Sequence, residues 1–228
     1  MPVEQLLTKF LHIMKMQSKF LCAVVLFMSA SFGMLQAQEE NVTTEFGIKG
    51  GFNMSNFLSD DDETTDENML YGFNAGVYAT LPISDFVAIQ PEILFTTRGS
   101  KLEYNSDLGS GNAKFKLNYI EVPLLVRVNI TKNFNLQAGG YASYLVSSKF
   151  TGDGAADFDE DIDTDDLNKF DAGIVAGVGV DFSPVSIGVR YNYGLTTIGK
   201  ERTVLGQTYT FPDAKNSNFS VYLSYKLN

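Results

Sequence analysis

The stretch Val185-Ser186-Ile187-Gly188-Val189-Arg190-Tyr191-Asn192-Tyr193-Gly194 places an apolar or aromatic residue at every odd position and a small or polar residue at every even one. Side chains of an extended strand point alternately to its two faces, so this segment has one greasy face and one polar face. A helix would need apolar residues three and four apart, and no stretch from Glu45 onward sustains that spacing.

Seven further segments alternate in the same way. Their apolar faces are Phe46/Ile48/Phe52/Met54, Tyr71/Phe73/Ala75/Val77/Ala79, Val87/Ile89/Ile93/Phe95 and Ile120/Val122/Leu124/Val126/Val128/Ile130. The others are Phe134/Leu136/Ala138/Ala142/Tyr144/Val146, Ile174/Ala176/Val178/Val180/Phe182 and Phe219/Val221/Leu223/Tyr225/Leu227. The connections at 82–85, 131–133 and 183–184 are tight and made of turn formers, whereas 55–69, 98–114, 149–169 and 197–216 are long and polar. Long and short connections alternate, so all the long ones fall at one end of the sheet. That asymmetry, with strands of about ten residues, is the pattern of a membrane barrel with short periplasmic turns and longer external loops. The expected fold is therefore all-β: a closed antiparallel up-and-down transmembrane barrel of about eight strands.

The N-terminus fits export. Residues 20–32 (FLCAVVLFMSASF) form an apolar run preceded by Lys15 and Lys19 and followed by Leu35-Gln36-Ala37. This is the order of a signal peptide, with cleavage expected after Ala37, and the run is too short for a spanning helix of about 20 residues. Met14 and Met16 are alternative starts. Cys22 opens the apolar run instead of closing it, which argues against an acylated lipoprotein cysteine. The expected organisation is a signal peptide at 1–37, a short linker at 38–44 and the barrel at 45–228.

Removing residues 1–37 takes away Glu4, Lys9, Lys15 and Lys19 from 17 basic and 27 acidic residues, leaving 14 and 26 and a net charge of −12. So acidic a chain argues against nucleic acid as a partner. The same cut removes the only histidine, His12, and the only cysteine, Cys22. The expectation is that the protein is not an enzyme and takes no cofactor. Aromatics on the apolar faces gather toward the two ends, Phe46, Phe134, Phe182 and Tyr225 at one and Tyr71, Phe73, Phe95, Tyr144, Tyr193 and Phe219 at the other. Two such girdles mark the two membrane interfaces.

Five segments together carry a family likeness: 45–56 (EFGIKGGFNMSN), 86–101 (FVAIQPEILFTTRGSK), 118–130 (NYIEVPLLVRVNI), 138–149 (AGGYASYLVSSK) and 171–181 (DAGIVAGVGVD). They resemble the PorT-like outer-membrane β-barrel domain of Bacteroidota, often called the porin family, over nearly the whole chain after the leader. Residues 119–127, with Glu121-Val122-Pro123-Leu124, are the most specific piece. The resemblance implies location in the outer membrane, with its lipid and the barrel-assembly machinery as partners, and brings no catalytic motif. Many such proteins end on an aromatic that the machinery reads; here the end is Tyr225-Lys226-Leu227-Asn228, which puts that role on Tyr225 and Leu227.

Counting by two from the apolar positions places Lys49, Glu92, Glu121, Arg127, Asp171, Asp181, Arg190 and Lys226 in the interior, four positive and four negative. About eight strands enclose a space that side chains fill, so these residues are expected to form a structural ion-pair network rather than a transport or catalytic site. Tyr78, Tyr119, Tyr141 and Tyr222 share that face, and glycines at 72, 76, 173, 177, 179, 188 and 194 leave room for long neighbours. Glu92 and Glu121 could face one another as a carboxylate pair. Pro91 and Pro123 interrupt strands, which predicts bulges or local irregularity near mid-wall. Gly177-Val178-Gly179 lacks the third glycine and following helix of a dinucleotide loop.

Two connections are strongly acidic, one with Asp60, Asp61, Asp62, Glu63, Asp66 and Glu67, the other running from Asp153 to Asp166. The spacing Asp161-x-Asp163-x-Asp165 matches the start of a calcium loop, without its glycine at position six or its closing glutamate. The functional expectation is a small structural or interaction barrel presenting these acidic loops to an extracellular or envelope protein. The alternatives are a narrow pore and, with the faces reversed, a soluble periplasmic barrel of lipocalin type holding an apolar ligand.

Overall fold

The computed structural model describes residues 43–58, 67–106, 109–153, 158–161, 167–199, 201–204, 207–210 and 214–228, with side chains described except at 67–68, 102–113, 152–161, 201–204 and 207–210. The segment expected to be a signal peptide, most of the expected linker and most of the acidic residues of the long connections, including Asp163 and Asp165 of the calcium-like spacing, lie outside this set.

Alternation produces strands β1 (Glu45–Leu58), β2 (Glu67–Pro82), β3 (Val87–Ser106), β4 (Gly109–Asn129), β5 (Phe134–Asp153), β6 (Phe158–Asp161), β7 (Phe170–Phe182), β8 (Val185–Thr197), β9 (Glu201–Val204), β10 (Gln207–Thr210) and β11 (Lys215–Lys226). Eight of them close a ring in the order β1, β2, β3, β4, β5, β7, β8, β11 and back to β1, every pair antiparallel. β6 lies along the far part of β5, and β9 and β10 form a separate hairpin.

The short turns stand where turn chemistry placed them. Ser84 Oγ accepts from the amides of Phe86 and Val87, and Thr131 Oγ1 accepts from those of Asn133 and Phe134, so side chains cap the exposed donors of the first two turns. The long connections depart from expectation. β3, β4 and β5 run to 20, 21 and 20 residues against 12 to 16 for the other wall strands, and the β3–β4 ladder continues out to Ser106 opposite Gly109. Much of 98–114, and 149–153 with 158–161, is therefore strand rather than loop, and 197–216 contains the β9–β10 hairpin. Polarity misled here, because a paired strand that has left the bilayer needs no apolar face.

The prolines produce the local irregularity expected at mid-wall, as a gap in the ladder instead of a bulge. Pro91 stands opposite Leu124 and Pro123 opposite Tyr141, and the register runs through both without a shift. The two residues are near neighbours on β3 and β4, so their missing donors fall in one short gap of the ladder and no bulge is required. The register shifts lie elsewhere, between Met69 and Asn74, at Asn118/Tyr119 and between Lys215 and Ser217, all toward the long-connection end.

Burial fixes which face is which. Ile48 is 50%, Val126 44% and Ile187 45% exposed, whereas Lys49 and Arg190 on the opposite faces are 5% and 4%. The aliphatic wall looks outward and the charged face inward, which excludes the lipocalin-like arrangement. Toward the long-connection end the interior changes character: Phe57, Leu117, Tyr119, Leu145, Leu167, Ile198 and Ala214 form an apolar cluster with Phe115, whose ring meets Phe57 edge-on at 5.7 Å.

Cysteines introduced by Val126→Cys and Ile187→Cys should react with a maleimide confined to the membrane. Those introduced by Ser220→Cys and Ser224→Cys, on the inner face, should stay unlabelled; the opposite pattern would reverse the two faces.

Candidate functional site

Three levels of paired charge fill the interior. At mid-height Glu92 of β3 receives a bidentate guanidinium from Arg190 of β8, at 2.6 and 2.8 Å. Lys49 of β1 approaches the same carboxylate at 3.3 Å, and Gln90 Nε2 donates to it at 2.6 Å. β3 and β8 are four places apart in a ring of eight, so the Glu92–Arg190 pair crosses the full diameter. Gln137 accepts from Arg190 Nε at 3.0 Å and donates to the Tyr222 hydroxyl at 2.9 Å. The Tyr222 ring lies under both cations, 3.6 Å from Lys49 Nζ and 4.9 Å from Arg190 Cζ.

Nearer the long connections, Arg98 sits between Glu121 and Asp171, bonded to the first and 3.2 Å from the second. Asp171 also accepts from Thr196 at 2.6 Å, Asn216 at 3.0 Å and the Tyr141 hydroxyl at 3.3 Å, while Asn192 donates to Glu121 at 3.2 Å. Asn216 Nδ2 reaches the Tyr119 hydroxyl at 3.4 Å, a second bond between diametrically opposed strands, β11 and β4. Nearer the short turns, Arg127 pairs with Asp181, which also accepts from Asn135 at 2.9 Å. Lys226 meets Glu45 at 2.9 Å on the rim.

Of the eight charges expected inside, Lys49, Glu92, Glu121, Asp171 and Arg190 are buried, Arg127 and Asp181 are half-buried, and Lys226 lies at the edge. Glu92 and Glu121 are engaged by different cations and do not act as one carboxylate pair. Sequence reasoning missed Arg98, which is fully buried and the hub of the upper level, along with Glu45. The signal for Arg98 was present: continuing by two from Glu92 through Leu94 and Thr96 reaches it. Reading 98–114 as a polar loop ends the count one step short of it.

The inward tyrosines 78, 119, 141 and 222 are all buried, and glycines make room for such bulk. A Cβ at Gly188 would collide with the Tyr222 ring, and one at Gly177 with the Arg190 stem. Among the described residues, one cavity of about 10 Å³ is lined in part by Lys49, Glu121, Arg190 and Asn192. That is room for about one water molecule. The carbonyl oxygens of Asn74 and Asn218, which find no protein partner, belong to side chains in its lining. Among the described residues no group of His, Cys, Asp and Glu stands together as a metal site.

A family model described as outer membrane protein beta-barrel domain matches residues 36–199. The chain belongs to this family. It is accordingly a small barrel of the bacterial outer membrane, and the match takes in β1 through the whole of β8, with every charge of the interior except Lys226. Solved structures of similar fold include Ail of Yersinia pestis, at 16% identity over 81% of this chain and 99% of that one with a TM-score of 0.44. Neisserial surface protein A is 17% identical over 81% and 99%, with a TM-score of 0.49. OprG of Pseudomonas aeruginosa is 15% identical over 82% and 97%, with a TM-score of 0.40. No curated protein matches the chain.

Removing one member of a buried ion pair strands the other in low dielectric. Arg98→Met, which leaves Glu121 and Asp171 facing each other, should lower stability by about 3–5 kcal/mol. Arg127→Met, in a pair nearer the rim that still reaches solvent, should cost less, on the order of 1 kcal/mol. Urea unfolding of the refolded barrel, followed by heat-modifiable gel mobility, measures both; equal losses would contradict this ordering of levels.

Proposed function

We propose that this barrel is a structural or interaction element of the outer membrane, a rigid wall that holds long acidic connections outside the cell, and neither a diffusion pore nor an enzyme. The observation that carries this reading is the Glu92–Arg190 pair spanning the full diameter at mid-height. Charge levels above and below it, and four inward tyrosines, fill the interior around it, and the cavity beside Lys49 and Arg190 measures about 10 Å³. Barrels with aqueous channels use about 16 to 18 strands, whereas about eight leave an interior that side chains fill.

The residue types support a non-catalytic role. Residues 45–228 contain neither histidine nor cysteine, the usual general base and the strongest nucleophile. The buried carboxylates Glu92, Glu121 and Asp171 are each held by a guanidinium. The partner in this proposal is an extracellular or envelope protein with a basic surface, met by the acidic residues of 60–67 and 153–166. Export by a signal peptide ending at Ala37, and membership of the PorT-like branch in Bacteroidota, belong to the same reading.

Purified protein in planar bilayers should give little or no steady conductance, and liposomes carrying it should not swell in small sugars. Large, stable, reproducible channels from a monomer would refute the proposal and mean that the interior charges line water instead of pairing.

A further inference from the structure

Successive rows on the outward face of β3, β4 and β5 change chemistry abruptly toward the external end. The first row is Phe95 opposite Ile120 opposite Tyr144, continued on β7 by Phe170, whose ring meets Tyr144 edge-on at 6.2 Å. Two residues further out, Thr97 donates to Asn118 at 2.8 Å and Asn118 to Ser147 at 2.9 Å. The next row sets Lys116 opposite Lys149, both exposed, while their neighbours Leu117 and Ser148 are buried. In the row beyond, Lys114 is opposite Lys101 and Thr151. Aromatic, hydroxyl and amide, then cationic side chains follow one another along about 14 Å of strand, at the usual rise of about 3.4 Å per residue.

Like charges placed directly opposite across a sheet are unfavourable. Here two such pairs occur in consecutive rows, in a chain with 17 basic against 27 acidic residues, where a carboxylate opposite each lysine would be the easier arrangement. β6 supplies one on the outer flank, since Asp161 stands opposite Lys149. Lys116 stands between Gly99 and Lys149, with no carboxylate at either cross-strand position.

We propose that this face binds a phosphorylated lipid headgroup of the outer leaflet, with a phosphate held between Lys116 and Lys149. Lys114 and Lys101 stand in the row behind, Asn118 and Ser147, with buried Thr97 bonded to Asn118, meet the oxygens below the phosphate, and the acyl chains lie on Ile120, Val122 and Tyr144. Continuity with the apolar wall selects a lipid over a soluble polyanion. An ammonium has three donors, so a lysine that also bonds within the protein keeps donors for a phosphate oxygen. Lysine stems lie along apolar surface while the heads reach the interface, which matches a site just beyond the aromatic row.

The test reconstitutes the full barrel in phosphatidylcholine vesicles containing lipid A or its dephosphorylated form, and measures the lipid that stays with the protein after detergent extraction. Wild type should retain lipid A in preference to the dephosphorylated form, the more so at low salt. The double variant Lys116→Gln/Lys149→Gln should lose about tenfold in retention, roughly 1.4 kcal/mol. Lys116→Arg/Lys149→Arg should keep it, as should Lys132→Gln in a short turn at the other end, and all should show the same heat-modifiable mobility. Undiminished retention in the Gln variant, equal retention of dephosphorylated lipid, or loss in the Arg variant would each overturn the proposal.

Discussion

Hydrocarbon offers no partner to a backbone amide or carbonyl, so a sheet that crosses a bilayer must leave no edge. The pairing of β1 with β11, from Gly47 opposite Lys226 to Leu58 opposite Lys215, is where this chain meets that demand. The seam is fastened at its rim by side chains as well. Asn228 accepts from the Phe46 amide and donates to the Thr44 carbonyl, and Lys226 meets Glu45. Once the ring is closed, period two dictates everything else: one set of side chains must satisfy lipid, the other must satisfy itself.

The two sets solve opposite problems. The outward set is aliphatic along the wall and aromatic toward its ends, and asks only to be apolar. The inward set is confined without much water, where an unpaired charge is costly and a well-bonded pair is tolerated. Tyrosine, glutamine and asparagine complete the bonding of the charges: Asp171 alone receives donors from Arg98, Tyr141, Thr196 and Asn216. Bulk is balanced by glycines on the adjacent strands, so a narrow ring contains long side chains without splaying.

Much of this was legible in the residue pattern, because alternation, turn chemistry and lipid thickness all point the same way. Strand number, the direction of Val126 and Ile187 and the inward course of Arg190 follow from counting by two. The errors came where that counting lost its guide. Beyond the bilayer β3, β4 and β5 keep pairing without an apolar face, so 98–106 looked like loop and Arg98 was lost with it. Register shifts such as that at Asn118/Tyr119 leave no mark in composition. Pro91 and Pro123 look like two defects in one dimension; only the pairing of β3 with β4 shows that they share one gap.

Backbone hydrogen bonds fix the circumference of a tube but not its outline, since a ring of constant perimeter can flatten into an ellipse. The Glu92–Arg190 bond between β3 and β8, and the weaker Tyr119–Asn216 bond between β4 and β11, lie along two neighbouring diameters at different heights. They act as cross-braces. Squeezing by the surrounding lipid along either diameter compresses a filled, bonded strut, and stretching must break it. The strand ends that carry the external connections are thereby held at constant spacing, so whatever those connections display is displayed with a fixed footprint.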